Sequence, residues 1–190
     1  MIKQKSKILG IADAPFRRGD TISKLVSVLV SHDFHIEAIN VHEIEVDGSD
    51  AEDAMLSLST SPHGIAAGII MTHGITFAGF NIIDPARLSE RLDRPVISVT
   101  RKKPDTEAML SAIRKHSYSP EKEAILVNTI PIRFEIGDGK FLYGNYHGLT
   151  MREAQNIVKK SIMRGNMPEP VRIAHLMGEA IVLGKTKNRI

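Results

Sequence analysis

The sequence predicts a mixed α/β domain with three antiparallel strands first and parallel strand–helix–strand units after them. Three observations predict it. Short bounded runs rich in β-branched residues fill positions 7 to 46, two apolar runs flank a helix signal between residues 66 and 100, and helix-start chemistry recurs at Asp84, Pro104, Thr150 and Pro168.

Each element has its own reason. Lys7–Ala12 is short, apolar and bounded, and Ile22–Val30 is crowded with Val, Ile and Leu, so both read as strands. Phe34–Val46 alternates, with its apolar phase slipping near Asn40, which places a bulge there. Ser49 and Glu52 stand three apart ahead of Ala54, Met55 and Leu58, the spacing of a capping box, so a helix starts near residue 50. Ala66–Thr72 and Pro95–Thr100 read as buried strands around a helix opened by Asp84-Pro85. A helix from Pro104 to about His116 follows, then a strand-like run from Ala124 to Ile130 and a hairpin over Arg133–Tyr143 turning at Gly-Asp-Gly. The capping box Thr150-Met-Arg-Glu153 and the prolines of Pro168-Glu-Pro170 open two closing helices.

Composition narrows the function. The 190 residues hold 42% apolar and 25% charged side chains, which suits one globular domain over 1–190. With no Cys, disulfides, iron–sulfur clusters, thiolate zinc sites and cysteine nucleophiles are excluded, and a cytoplasmic setting is the default expectation. No run approaches the roughly 18 apolar residues of a membrane span. Net charge is +3, but Arg152 to Arg189 holds eight Lys or Arg against Glu153, Glu169 and Glu179. Such a basic end is compatible with nucleic acid, though more often it is a solvated tail.

Motifs of nucleotide and calcium sites fail on mechanics. Gly184-Lys-Thr186 trails a helix instead of leading one, and Asp47–Asp53 lacks the alternate carboxylates and mid-loop Gly of a calcium loop. Strand ends carry more. Asp13, His73 and Arg101 each follow a strand, and in α/β sheets ligand groups gather at the carboxyl ends of parallel strands. Each also suits an ordinary role: Asp13 as a turn cap beside Pro15, Arg101-Lys-Lys103 as a solvated step, and His147 as a surface loop residue.

The segments His73–Asp84, Pro95–Pro104, Pro168–His175 and Leu9–Phe16 together resemble the family known as domain of unknown function ninety-nine (UPF0215-like), which is itself similar to endonuclease V. The resemblance implies a ribonuclease-H-like mixed sheet with helices on both faces. It also implies a divalent-metal phosphodiesterase acting on DNA or RNA, with magnesium or manganese as cofactor, held by Asp13, Asp50 and His73. Arg101 and His147 complete the implied catalytic set, and Arg101, Lys102, Lys103 and Arg172 the implied nucleic-acid contacts. Two acidic positions of endonuclease V fall on Ala12 and His73 here, its lysine on Arg101 and its late histidine on His147. Losing carboxylates removes oxygen ligands that magnesium prefers, and manganese suits His73 better. Asp13 replaces Ala12 only if the strand has ended or bulged there, since neighbours on a strand face opposite ways. The alternatives are a catalytically inactive nucleic-acid-binding module on the same fold and a small-molecule-binding protein.

Overall fold

The computed structural model describes residues 6–116 and 119–186. The end of the basic stretch, 187–190, therefore lies outside the described residues. Strands β1 (Lys7–Asp13), β2 (Ile22–Val30) and β3 (Ile36–Glu45) form the expected antiparallel meander. After helix α1 (Ala51–Thr60), β4 (Ala67–Thr72) lies parallel to β1. A small hairpin follows, β5 (Thr76–Phe77) with β6 (Asn81–Ile82), then α2 (Pro85–Leu92) and β7 (Val96–Thr100), which is parallel to β4. Helices α3 (Thr106–His116) and α4 (Pro120–Asn128) lead to the hairpin β8 (Ile132–Gly137) and β9 (Lys140–His147). Helices α5 (Met151–Lys160) and α6 (Glu169–Leu183) close the chain. The seven-stranded sheet has the order β3-β2-β1-β4-β7-β9-β8.

Alternation along β1 divides the core. Leu9 and Ile11 pack with Met55, Leu58, Phe77 and Leu88 under α1 and α2, while Ala12 faces Val26, Val28 and Ala174 of α6. Beyond β4, Met71, Ile97 and Val99 meet Ala154 and Val158 of α5 and Val171 of α6. Helices thus cover both faces of the sheet. Among the described residues no helix is long and apolar enough to cross a membrane.

Three local expectations are corrected. The irregularity in β3 lies opposite Leu29 and Val30, at the Ile36–Ala38 end, and Asn40 pairs regularly with Ser27. Helix α1 starts as expected, but its N-cap is Asp50 with no side-chain cap bond, because that carboxylate accepts from the Glu45 amide and from Asn81 instead. Residues 124–128 belong to α4, not to a strand. Ser119 caps its first turn and Pro120 sits where a missing N–H costs nothing, so helix-start chemistry outweighs the apolar run Ile125-Leu-Val127.

Candidate functional site at the strand ends

Because β1, β4 and β7 run the same way, their carboxyl ends share one edge of the sheet. Asp13, His73 and Arg101 stand at those three ends. A cavity of about 440 Å³ lies there, lined by Asp13, His73, Thr100, Arg101, Lys102 and Lys103, with Asn145 of β9 and Met109 and Leu126 of the two helices that roof it. Backbone bonds set its rim. The His73 amide donates to the Ile11 carbonyl at 2.9 Å and the Gly74 amide to the Val99 carbonyl at 3.0 Å, so the turn after β4 is pinned to both neighbouring strands.

Asp13 is positioned by the β5–β6 turn. The Ala78 amide donates to its Oδ2 at 2.9 Å, while the Ala78 carbonyl accepts from the Asp47 amide at 2.9 Å. β1 has not bulged: Asp13 still pairs with Leu25, so it points opposite to Ala12. Burial pushes the Asp13 carboxyl above its usual range, opposed by the Ala78 N–H, its own amide and nearby His175. Burial likewise pushes the His73 imidazole down to about 4, helped by His175 and Arg101. At neutral pH His73 is therefore uncharged and carries a free ring lone pair.

The other sequence candidates lie elsewhere. Asp50 accepts from Asn81 Nδ2 at 2.5 Å and from the Glu45 amide at 3.2 Å, and does not line the cavity. His147 pairs with Val96, at the opposite end of β7 from Thr100, roughly 13 Å away along the strand. It adjoins Asp84 and Glu90, and burial holds its imidazole below the ordinary value. Arg172 is engaged by Glu169 on the first turn of α6, its Nε donating at 2.8 Å. Sequence reasoning missed His175 and Glu179. The His175 ring meets His73 edge to face, centroids 5.4 Å apart, and its Nε2 lies 3.8 Å from Glu179 Oε1. Their i, i+4 spacing on a closing helix was the available signal.

A magnesium site of the implied kind needs several carboxylate oxygens around one point. Ala12 is buried against α6, Asp50 is engaged by Asn81, and among the described residues no three His, Asp or Glu side chains are grouped to hold a metal ion. The residues present do not fit that ion.

The profile of the endonuclease dU family matches residues 4–182. The chain belongs to the endonuclease dU family. UPF0215 proteins are its curated relatives: that of Thermococcus kodakarensis is 33% identical over 98% of this chain and 97% of its own length, and that of Archaeoglobus fulgidus 37% over 82% and 84%. A crystal structure of a protein of unknown function from Archaeoglobus fulgidus superposes with a TM-score of 0.81 at 36% identity, covering 94% of this chain and 99% of that one. Human endonuclease V matches with a TM-score of 0.56 at 13% identity over 90% and 81% of the two chains. Endonuclease V of Ciona intestinalis, bound to a 24mer DNA containing an inosine followed by a ribo-adenosine, gives 0.58 at 12% identity over 90% and 82%. At these identities the likeness establishes that this endonuclease dU family member has the endonuclease V fold, the mixed sheet that the family resemblance implied.

Proposed function

We propose that this chain is a nuclease-like protein that engages DNA at the strand-end cavity and cleaves a phosphodiester beside deoxyuridine. One observation carries the reading: Asp13, His73 and the cationic run Arg101–Lys103 line the same cavity at the carboxyl edge of the sheet. The family name supplies deoxyuridine as the base. Arg101, Lys102 and Lys103 neutralise the backbone phosphates at the mouth, and charge on a phosphate is best met by such fixed cations. In the step, the oxygen of an attacking water bonds to phosphorus as the bond from phosphorus to one bridging ester oxygen breaks. Uncharged His73 takes the water's proton at its free ring nitrogen, the leaving oxygen takes one from solvent, and Arg101 stabilises charge growing on the phosphoryl oxygens. Asp13, held by Ala78, orients the water.

The same fold holding DNA without hydrolysis is the second reading, and the specific observation in its favour is Ala12, a buried methyl where the resemblance to endonuclease V sets an acidic residue. One experiment separates them. End-labelled duplexes carrying deoxyuridine, inosine or no modified base are incubated with wild type, Asp13→Ala, His73→Ala and Arg101→Ala, each in magnesium, manganese or chelator. Cleavage at deoxyuridine that drops at least a hundredfold in the Asp13 and His73 variants supports the nuclease. Salt-sensitive binding with no product in any condition leaves only the holding role. Cleavage in chelator identifies the chain's own groups as sufficient, and cleavage confined to the metal-containing lanes overturns the assignment of the water's proton to His73 alone.

A further inference from the structure

Helix α6 crosses the end of β1 at Gly178, where a Cβ would lie 3.0 Å from Ala14 Cα and 3.3 Å from the Asp13 carbonyl oxygen. That close approach sets His175 and Glu179, which flank Gly178 on the helix, behind the wall of the cavity. His175 touches His73 ring to ring and adjoins Asp13, and its Nε2 faces Glu179 Oε1 at 3.8 Å. Its other nitrogen, Nδ1, is buried and makes no hydrogen bond. Glu179 is itself only 8% exposed.

A buried carboxylate next to an imidazole nitrogen favours a proton on that nitrogen. A neutral ring holds one proton, so a hydrogen at Nε2 leaves Nδ1 with a bare lone pair.

We propose that Glu179 and His175 are positioning residues: the Glu179 carboxylate, 3.8 Å from His175 Nε2, favours the proton there, and the His175 ring, set edge to face against His73, fixes which His73 nitrogen faces the cavity. The chain of contact runs Glu179, His175, His73, and it rests on reading the strand-end cavity as the nuclease site. Among the described residues, Glu179 on its own helix, Asp13 from β1 and Arg101 from the end of β7 face the His175–His73 pair.

The tautomers test this without reference to catalysis. Nitrogen-15 spectra of the full chain, labelled at histidine and assigned with His73→Asn and His175→Asn, report which ring nitrogen carries the proton. Wild type is expected to show a protonated Nε2 and an unprotonated Nδ1 on His175. Glu179→Ala is expected to redistribute that proton and shift the His73 signals; Glu179→Gln, which keeps the volume and an acceptor, is expected to restore them in large part and serves if the alanine variant does not fold. Where deoxyuridine cleavage is measured, Glu179→Ala is expected to lower kcat about tenfold with KM for DNA unchanged and to move the acid limb of its pH profile. A proton on His175 Nδ1 in wild type, or His73 signals indifferent to a folded Glu179→Ala, overturns the proposal. Absence of cleavage overturns the nuclease reading while leaving the spectra to decide the tautomer.

Discussion

His73 and Asp13 both adjoin His175, and burial gives them opposite effects on the pH dependence of folding. The His73 value is depressed to about 4 from 6.5, so between those values the unfolded chain binds a proton that the native chain does not. Stability from this group is therefore intact above pH 6.5 and falls as pH drops toward 4, by about 3 kcal/mol when complete. Asp13 works the other way, because its raised value lets the native chain hold a proton that the unfolded chain has lost, which adds stability on acidification. The two are separated by difference. Urea unfolding of wild type and His73→Asn from pH 7.5 to 4 is expected to show wild type losing stability relative to the variant as pH falls; parallel curves would mean that His73 is solvated in the native chain. Arg94 gives a second prediction of this size. Its guanidinium donates to the carbonyls of Ser59, Gly64 and Ala67, tying the end of α1 to the start of β4. Arg94→Met leaves these carbonyls without that donor and is expected to cost about 2 to 3 kcal/mol in the same unfolding experiment, with no change in the His73 tautomer.

Between elements, the contact that matters most for the site is α6 on β1. At Gly10 an added Cβ would fall 2.2 Å from the backbone carbon and oxygen of Pro170, so the strand and the first turn of the helix touch backbone to backbone. Gly10→Ala forces them apart in the first turn of the helix, about one and a half turns before His175. A destabilisation of about 1 to 3 kcal/mol is expected, together with loss of the His73–His175 ring contact in the nitrogen spectra. An unshifted melting temperature would show that α6 slides freely. Much of this layer was legible in the sequence, because strong local signals agreed with the tertiary fold: the β-branched run at Ile22–Val30, the cap at Asp84 and the capping box at Thr150 all became what their chemistry favours. Failures came where local chemistry had a competitor. The run 124–128 is short and apolar, a pattern that strands and buried helix turns share, and only the Ser119-Pro120 start decides it. By type and position Asp50 suits a metal ligand, but its carboxylate is taken by Asn81, a partner 31 residues away that no local pattern reveals. His175 reaches His73 across more than half the chain, so the strand ends and the closing helix could each be read from sequence while the packing of that helix behind those ends could not.

Across the whole molecule, a net charge of +3 understates how the cations are arranged. Arg101, Lys102 and Lys103 are exposed and line the cavity mouth, whereas Lys160 lines a separate groove with Ser6, Ile8 and Pro170, away from the strand ends that hold Asp13 and His73. If DNA is held at the strand ends, affinity depends on counterions released by the first group and not by the second. Each phosphate neutralised on duplex DNA contributes roughly −0.9 to the slope of log K against log salt, so three contacts give about −3. Arg101→Ala is expected to reduce the slope by about one, and Lys160→Ala to leave it unchanged. Fluorescence anisotropy of a labelled duplex across a salt series measures both. Equal loss in the two variants would mean that DNA is held by diffuse charge over the surface, and the strand-end cavity would lose its claim as the nucleic-acid site. A slope unchanged in Lys160→Ala and reduced in Arg101→Ala would tie DNA to the edge of the sheet where Asp13 and His73 stand, because β1, β4 and β7 run parallel and end together there.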